Sequence, residues 1–352
     1  MNPSWYDFLA AHGAGFDRGG VASFGAPAAE LAAARDAAVV CDLSPFAVLR
    51  VAGLDAATFL QGQFTNDVAA LGLGSAQYSA WCSPKGRMLA NFVVRRSGDS
   101  IYELLLPESL GDSIAKRLRM FVLRSRVTVF DASSETIRLG VGGPSAGAAV
   151  GKALGAAPAV GDVASTGELI VTALPGPRYI IAVAPEAAAS CWDRLRSGCL
   201  PAGFPAWQWL TIRAGVPIIT PSTADLFVPQ AANWDALGGI NFQKGCYAGQ
   251  EIVARTQYLG RLKERLALAH LGAAPPAPGE RLYSGAFGEQ ACGTIVNAAA
   301  APDGGSDLLA VLQLAAAESG DAHLGAIDGA ALRLLTLPYE LPAPAAPRGR
   351  IA

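Results

Sequence analysis

Lys244-Gly245-Cys246-Tyr247-Ala248-Gly249-Gln250-Glu251-Ile252-Val253-Ala254-Arg255 places a thiol, an ammonium, a carboxamide, a carboxylate and a guanidinium within one short run. A thiol acts as nucleophile or metal ligand in its thiolate form, and a nearby cation or a helix N-terminus favours that form. The turn-forming stretch Gly238-Gly239-Ile240-Asn241-Phe242-Gln243 leads into this run. It predicts a helix whose first turn holds Cys246 and which ends near Gly260. On that helix Glu251 and Arg255 stand four apart with the acid first, the favourable order for a pair on one face. Lys244, two residues before the thiol, would add to the positive field. The same residues also fit a buried cysteine at a tight helix start, with glycines supplying only positive φ. The density of polar groups around Cys246 favours a site.

The elements that must position this thiol follow in chain order. Residues 1–40 read as two amphipathic helices, Trp5 to Ala11 and Ala28 to Ala38, around a Gly-rich connection. A strand is expected at Phe46 to Val51, then a helix with Asp55 as N-cap. Strands at Tyr78 to Cys82 and Leu89 to Arg95 flank the turn Ser83-Pro84-Lys85-Gly86-Arg87. Lys85 and Arg87 there are either solvated or placed to hold a ligand carboxylate. Tyr102 to Glu108 with its following helix is similar to Tyr179 to Glu186 with the helix after it, which suggests an internal repeat of two α+β units. Ala206-Trp207-Gln208-Trp209-Leu210 is an aromatic cluster, ordinarily core, that would also suit stacking on a flat heteroaromatic ligand. Beyond residue 260 come short strands near Arg281, Ala291 to Val296, Leu308 to Leu314 and Ala331 to Leu335, the pattern of a small β-barrel or sandwich. The expected fold class is α+β: units at 1–135 and 136–260, a β-barrel at 261–341 and a disordered tail at 342–352.

A chain of 352 residues, 51% hydrophobic with net charge -2, is long enough for two or three packed domains. No Lys/Arg stripe interleaved with aromatics is present, so direct nucleic-acid binding is not expected. The start Met1-Asn-Pro-Ser-Trp-Tyr-Asp does not read as a signal peptide, and no apolar run suits a membrane span. A cytoplasmic location is therefore expected. Six cysteines without CxxC spacing and three scattered histidines indicate neither a disulfide framework nor a metal site.

The run from Lys244 to Arg255 resembles the signature of the YgfZ family of folate-binding, T-protein-like proteins. Ala214-Gly-Val-Pro217, Phe227-Val-Pro-Gln-Ala231, Ala236-Leu-Gly-Gly-Ile240 and Phe59 to Val68 match the family as well, so the resemblance spans about Leu43 to Tyr339. It implies two interwoven T-protein-like units, a C-terminal barrel, and tetrahydrofolate as cofactor, with Trp207 and Phe46 as its aromatic contacts. At Phe46 the family has tryptophan, so ring contact is kept and the indole N–H is lost. In the glycine-cleavage T-proteins an acidic pair follows the Gly-rich turn; here Ala90-Asn91 stands there, and neither side chain replaces a carboxylate. The resemblance implies an accessory protein supporting iron–sulfur cluster assembly or repair in transient client proteins, including tRNA-thiomethylating enzymes. Cys246, Lys244, Gln250, Glu251 and Arg255 would carry the chemistry; Lys85, Arg87 and Asn91 would serve the folate. Two alternatives stay open: a folate-dependent aminomethyl or methyl transferase, and a Cys246-dependent interaction module with a vestigial pocket.

Overall fold

A computed structural model of the chain describes residues 1–155, 157–166, 169–258 and 262–342. The expected tail at 342–352, apart from its first residue, and the expected helix end at Gly260 lie outside the described residues.

The β-rich pattern between 46 and 131 forms a five-stranded antiparallel sheet, ordered Ala76–Cys82, Met88–Gly98, Ile101–Pro107, Phe46–Ala52, Thr128–Asp131. A second sheet runs Val163–Thr166, Leu169–Leu174, Arg178–Val183, Ile137–Gly142, Val39–Asp42, Leu200–Pro201, with only its last pair parallel. In both sheets the third strand feeds a helix: Glu108–Val122 after Ile101–Pro107, and Ala188–Arg196 after Arg178–Val183. Chain order and packing part company at the N-terminus. Trp5, Leu9, Val21, Ala38 and Val40 pack with Leu139, Val171 and Trp192 beneath the second sheet, and Trp5 Nε1 donates to buried Asp42 at 2.8 Å. Residues 1–42, expected in the first unit, thus pack on both sides: Trp5, Leu9, Val21, Ala38 and Val40 beneath the second sheet, and Leu31, Ala34, Val39 and Cys41 in the core shared with the first. The expected Asp55 cap is also different: its carboxylate accepts from Arg126 backbone and side chain, 2.8 and 3.1 Å, rather than from its own helix.

The first sheet holds a charged cluster. Glu103, 7% exposed, accepts from Arg50 Nη2 at 2.9 Å and from Arg95 Nε at 3.0 Å. Burial alone would raise its pKa, yet Arg95 and then Arg50 hold it below the usual 4.5. A carboxyl depressed in the folded state contributes stability that is present above its unfolded pKa and lost as pH falls through the folded value. Glu103→Gln leaves the shielded Arg95 without its acid and Arg50 with Glu135 alone, and is expected to cost about 2–4 kcal/mol at pH 7. Urea titrations of both proteins check this: the gap between wild type and variant should narrow as pH falls below the ordinary glutamate value of 4.5.

The C-terminal strands form a six-stranded antiparallel sheet, ordered His323–Leu324, Arg281–Tyr283, Ala291–Ala300, Ser306–Gln313, Glu264–Leu271, Leu332–Leu335. It is a half-barrel and not the expected closed barrel. Its two ends approach through a single bridge, His323 to Ala331, because both edge strands are too short to continue the ladder.

Helix Phe204–Arg213 joins all of this. Trp207 packs into a space that only a glycine leaves, since a Cβ on Gly140 would lie 2.6 Å from its ring. Trp209, on the opposite side, donates to Asp307 of the half-barrel at 2.9 Å, where His270 also bonds at 2.9 Å. From residue 214 to 249 the chain has no regular helix or strand, so side chains must satisfy its buried backbone groups. Asn91 takes Pro217 O and Ile219 N (2.7 and 2.9 Å). Asn297 brackets Ile218 at 2.7 and 2.9 Å, Gln230 donates to Val253 O at 2.7 Å, and Asn233 donates to Leu266 O at 2.9 Å. Arg265 clamps Asp235 through two bonds of 2.6 and 2.9 Å. This segment passes across all three sheets and carries the Cys246 loop at its end.

Candidate functional site

Two separate places hold the residues singled out in the sequence. The first is a cavity of about 510 Å³ whose wall includes Phe46, Phe204, Trp207, Gln208, Thr211 and Asn297, a size in the range of small-molecule sites. Phe46 opens the first-sheet strand and meets Phe204 edge to face, centroids 5.8 Å apart; half-buried, it offers ring surface. Trp207 is only 2% exposed, with the Arg178 guanidinium 5.6 Å over its ring. The predicted stacking platform is therefore mostly packed, and Phe46 is the more accessible of the two rings.

The cavity continues inward to a small chamber of about 40 Å³ that shares Phe46, Pro107, Trp207, Thr211 and Ile218 with it. Asn91, Tyr78, Arg178 and Trp234 stand in the chamber wall. Asn91 serves the scaffold there, since one N–H of its carboxamide is held by Pro217 O and one lone pair by Ile219 N. Its expected role as a folate-facing group gives way to a structural one. Tyr78, Arg178 and Trp234 were missed in the sequence reading. One sign was available: Arg178 is a lone charge at the head of an otherwise apolar strand, Arg-Tyr-Ile-Ile-Ala-Val.

The second place is the Cys246 loop. Helix Gln250–Tyr258 starts four residues after the thiol, so Cys246 is not in its first turn. The cause is Gly249: at φ +80°, with a Cβ there falling 2.4 Å from Ser83 O, its backbone lies directly on the Ser83–Arg87 turn and interrupts the helical path. Cys246 therefore lies outside the helix terminus. Lys244 does not turn to the sulfur either. It is 8% exposed, and its Nζ donates to Gln61 O, Phe64 O and Asn66 O at 2.7, 2.6 and 2.9 Å. Burial lowers its pKa to about 8, with Asp67 opposing. Lys244 is a strut fixing the loop to residues 61–66. Glu251 and Arg255 are both exposed, and no ion pair joins them among the described residues. Gln250 begins the helix, half-buried.

Cys246 is exposed, whereas Cys41, Cys82, Cys191, Cys199 and Cys292 are buried. Burial pushes the Cys191 and Cys199 thiols up to about 11. The loop thus presents the one exposed thiol of the six.

Lys85 and Arg87 stand with this loop and away from the large cavity, through the contact of Gly86 with Gly249 and Ile252. Arg87 Nη1 donates to Leu226 O and faces Glu264, whose pKa burial raises against the Arg87 charge. Lys85 is exposed. Neither lines the cavity, so the expected clamp on a folate glutamate tail is not formed there. The two places are linked: Lys244 holds Asn66 O, and Asn66 Nδ2 in turn donates to Tyr78 O at 2.7 Å and Gly238 O at 2.8 Å.

No group of His, Cys, Asp or Glu able to hold a metal occurs among the described residues, and no described helix is long and apolar enough to cross a membrane.

A mixed α/β body with a half-barrel sheet at its C-terminal end is a fold similar to that of the glycine-cleavage aminomethyltransferases. The aminomethyltransferase T of Bartonella henselae superposes with a TM-score of 0.73 over 96% of this chain and 97% of its own, at 18% identity. A family model described as the GCVT N-terminal domain matches residues 1–160. Within this fold the chain belongs to the YgfZ family. It is 33% identical to the tRNA-modifying protein YgfZ of Sodalis glossinidius over 85% of this chain and 92% of that protein. It is 32% identical to the protein of that name from Escherichia coli O7:K1 over 90% and 97%.

Proposed function

We propose that the protein binds tetrahydrofolate in the central cavity and supports iron–sulfur cluster assembly or repair in client proteins through Cys246, tRNA-thiomethylating enzymes among them. The observation that carries this reading is the pairing of a 510 Å³ aromatic-walled cavity with a single exposed thiol on a braced loop outside it. The residues present suit the ligand. Phe46, Phe204 and the exposed part of Trp207 offer apolar ring contact, and the inner chamber holds a buried Tyr78 O–H without an acceptor. Folate supplies a one-carbon carrier there; the chain's own residues would hold and orient it, and Pro107 and Ile218 would narrow the cavity ahead of the inner chamber. One thiol cannot hold a cluster by itself, since stable clusters use about four ligands, so Cys246 would share iron with ligands of the client.

The transferase alternative is disfavoured by Asn91. It stands where a T-protein acid would be, carries no carboxylate, and is bonded to Pro217 O and Ile219 N. A cytoplasmic location accords with this role.

Cys246→Ser tests the client half. The variant should bind tetrahydrofolate as the wild type does, while an iron–sulfur client co-expressed with it should lose a several-fold share of its cluster iron. Equal client iron with both proteins would remove Cys246 from the function.

A further inference from the structure

We propose that the inner chamber is an acceptor-oxygen subsite, in which Arg178 and Tyr78 receive a carboxylate or ring oxo oxygen of the bound ligand. The proposal deepens the folate reading, although its argument stands on the chamber itself. Arg178 is 2% exposed, and no acid pairs with it among the described residues. A guanidinium has five N–H donors and no acceptor. Three are used here: Nε and Nη2 donate to Pro175 O at 3.1 and 2.8 Å, and Nη1 to Thr211 Oγ1 at 2.9 Å. Two donors remain at the chamber, beneath which lies the Trp207 ring.

Tyr78 adds a third donor. It is 8% exposed, its oxygen lies within reach of the Arg178 guanidinium, and its own O–H has no acceptor. Buried polar groups are nearly always paired, so an O–H without an acceptor beside spare guanidinium N–H groups marks a place for an outside partner. The rest of the wall is apolar: Phe92, Leu105, Leu174, Ile180 and Val216 among others. Thr211 and Pro175 O are already engaged by Arg178 and Asn91 Oδ1 by Ile219 N, so donors predominate in the chamber. It therefore selects an acceptor, and away from water a charge-assisted contact is strong. The volume of about 40 Å³ holds roughly three water-sized groups. That admits a carboxylate, or the oxo edge of a pterin whose body stays in the larger cavity.

The test is calorimetric binding to the full-length wild type, Tyr78→Phe and Arg178→Met. The probes are tetrahydropterin for the ring end of folate, p-aminobenzoylglutamate for the carboxylate end, and formate as a free small carboxylate. Tyr78→Phe removes only a hydroxyl whose O–H has no acceptor. Its thermal midpoint should equal or exceed the wild type's, while the probe that enters the chamber binds about 3–10-fold more weakly, as loss of one hydrogen bond implies. Arg178→Met should weaken that probe by about 30-fold or more, and whichever fragment shows the loss identifies the end that enters. Binding of formate alone, dependent on Arg178, would uphold the subsite while removing the folate reading. Unchanged binding of all probes to both variants would overturn the subsite, as would no binding of any probe to folded wild type.

Discussion

Lys244→Met should lower stability by about 2–4 kcal/mol and unfasten the Cys246 loop. Methionine matches the length of the side chain but donates nothing, so Gln61 O, Phe64 O and Asn66 O lose the ammonium they share. Each buried acceptor left alone costs about 1–3 kcal/mol, offset in part because a charge no longer has to be buried. Lys244→Arg should recover only a fraction, because a planar fork cannot place three N–H groups around one point. Two measurements check this. Urea unfolding gives the stability loss, and hydrogen exchange should show Asn66, Gly239 and Asn241, tied to the loop through Thr65 and Asn66, losing protection together. Loss of protection confined to residue 244 itself would contradict the strut.

Trp207→Ala is expected to cost about 3–5 kcal/mol, the range for deleting a buried large aromatic. The indole fills the space left by Gly140 and carries the Arg178 cation above it, so its removal opens a void and withdraws a cation–π contact of about 1 kcal/mol or more. Tetrahydrofolate affinity should fall as well, but part of that fall will report a rearranged wall. Thermal unfolding separates the two effects: a midpoint drop of several degrees without ligand would show that Trp207 serves the scaffold first. An unchanged midpoint would mean that the ring is less embedded than its 2% exposure indicates.

Legibility in the sequence followed the range of the interactions. Strands Phe46–Ala52, Ala76–Cys82 and Ser306–Gln313 show their character in local runs of β-branched and large apolar residues, and their positions were readable to within a few residues. The strand Val39–Asp42 also has that texture, but its partners are Ile137–Gly142 and Leu200–Pro201, and nothing nearby in sequence specifies so distant a pairing. The N-terminal hairpin Gly15–Asp17 with Gly20–Ser23 was hidden by its glycines. At the site, residue types were readable and directions were not. Cys246 is exposed as a functional thiol must be, yet Lys244 points away from it, since three carbonyls offer the ammonium more than one sulfur does. Asn91 was visible as the replacement for an acid, but its engagement by Pro217 and Ile219 depends on an irregular segment more than 120 residues away. Arg178 and Tyr78 became candidates only once burial showed what they lack.

The central claim is that the cavity beside Phe46 takes tetrahydrofolate, and the direct measurement is a calorimetric titration of wild type beside Phe46→Ala. Phe46 is the better probe because it is half-buried at the cavity wall, and its truncation disturbs less packing than loss of Trp207. Saturable one-to-one binding, weakened about tenfold in the variant, is the predicted result, corresponding to about 1.4 kcal/mol of ring contact. Absence of binding to folded wild type, or equal affinity in both proteins, would contradict it.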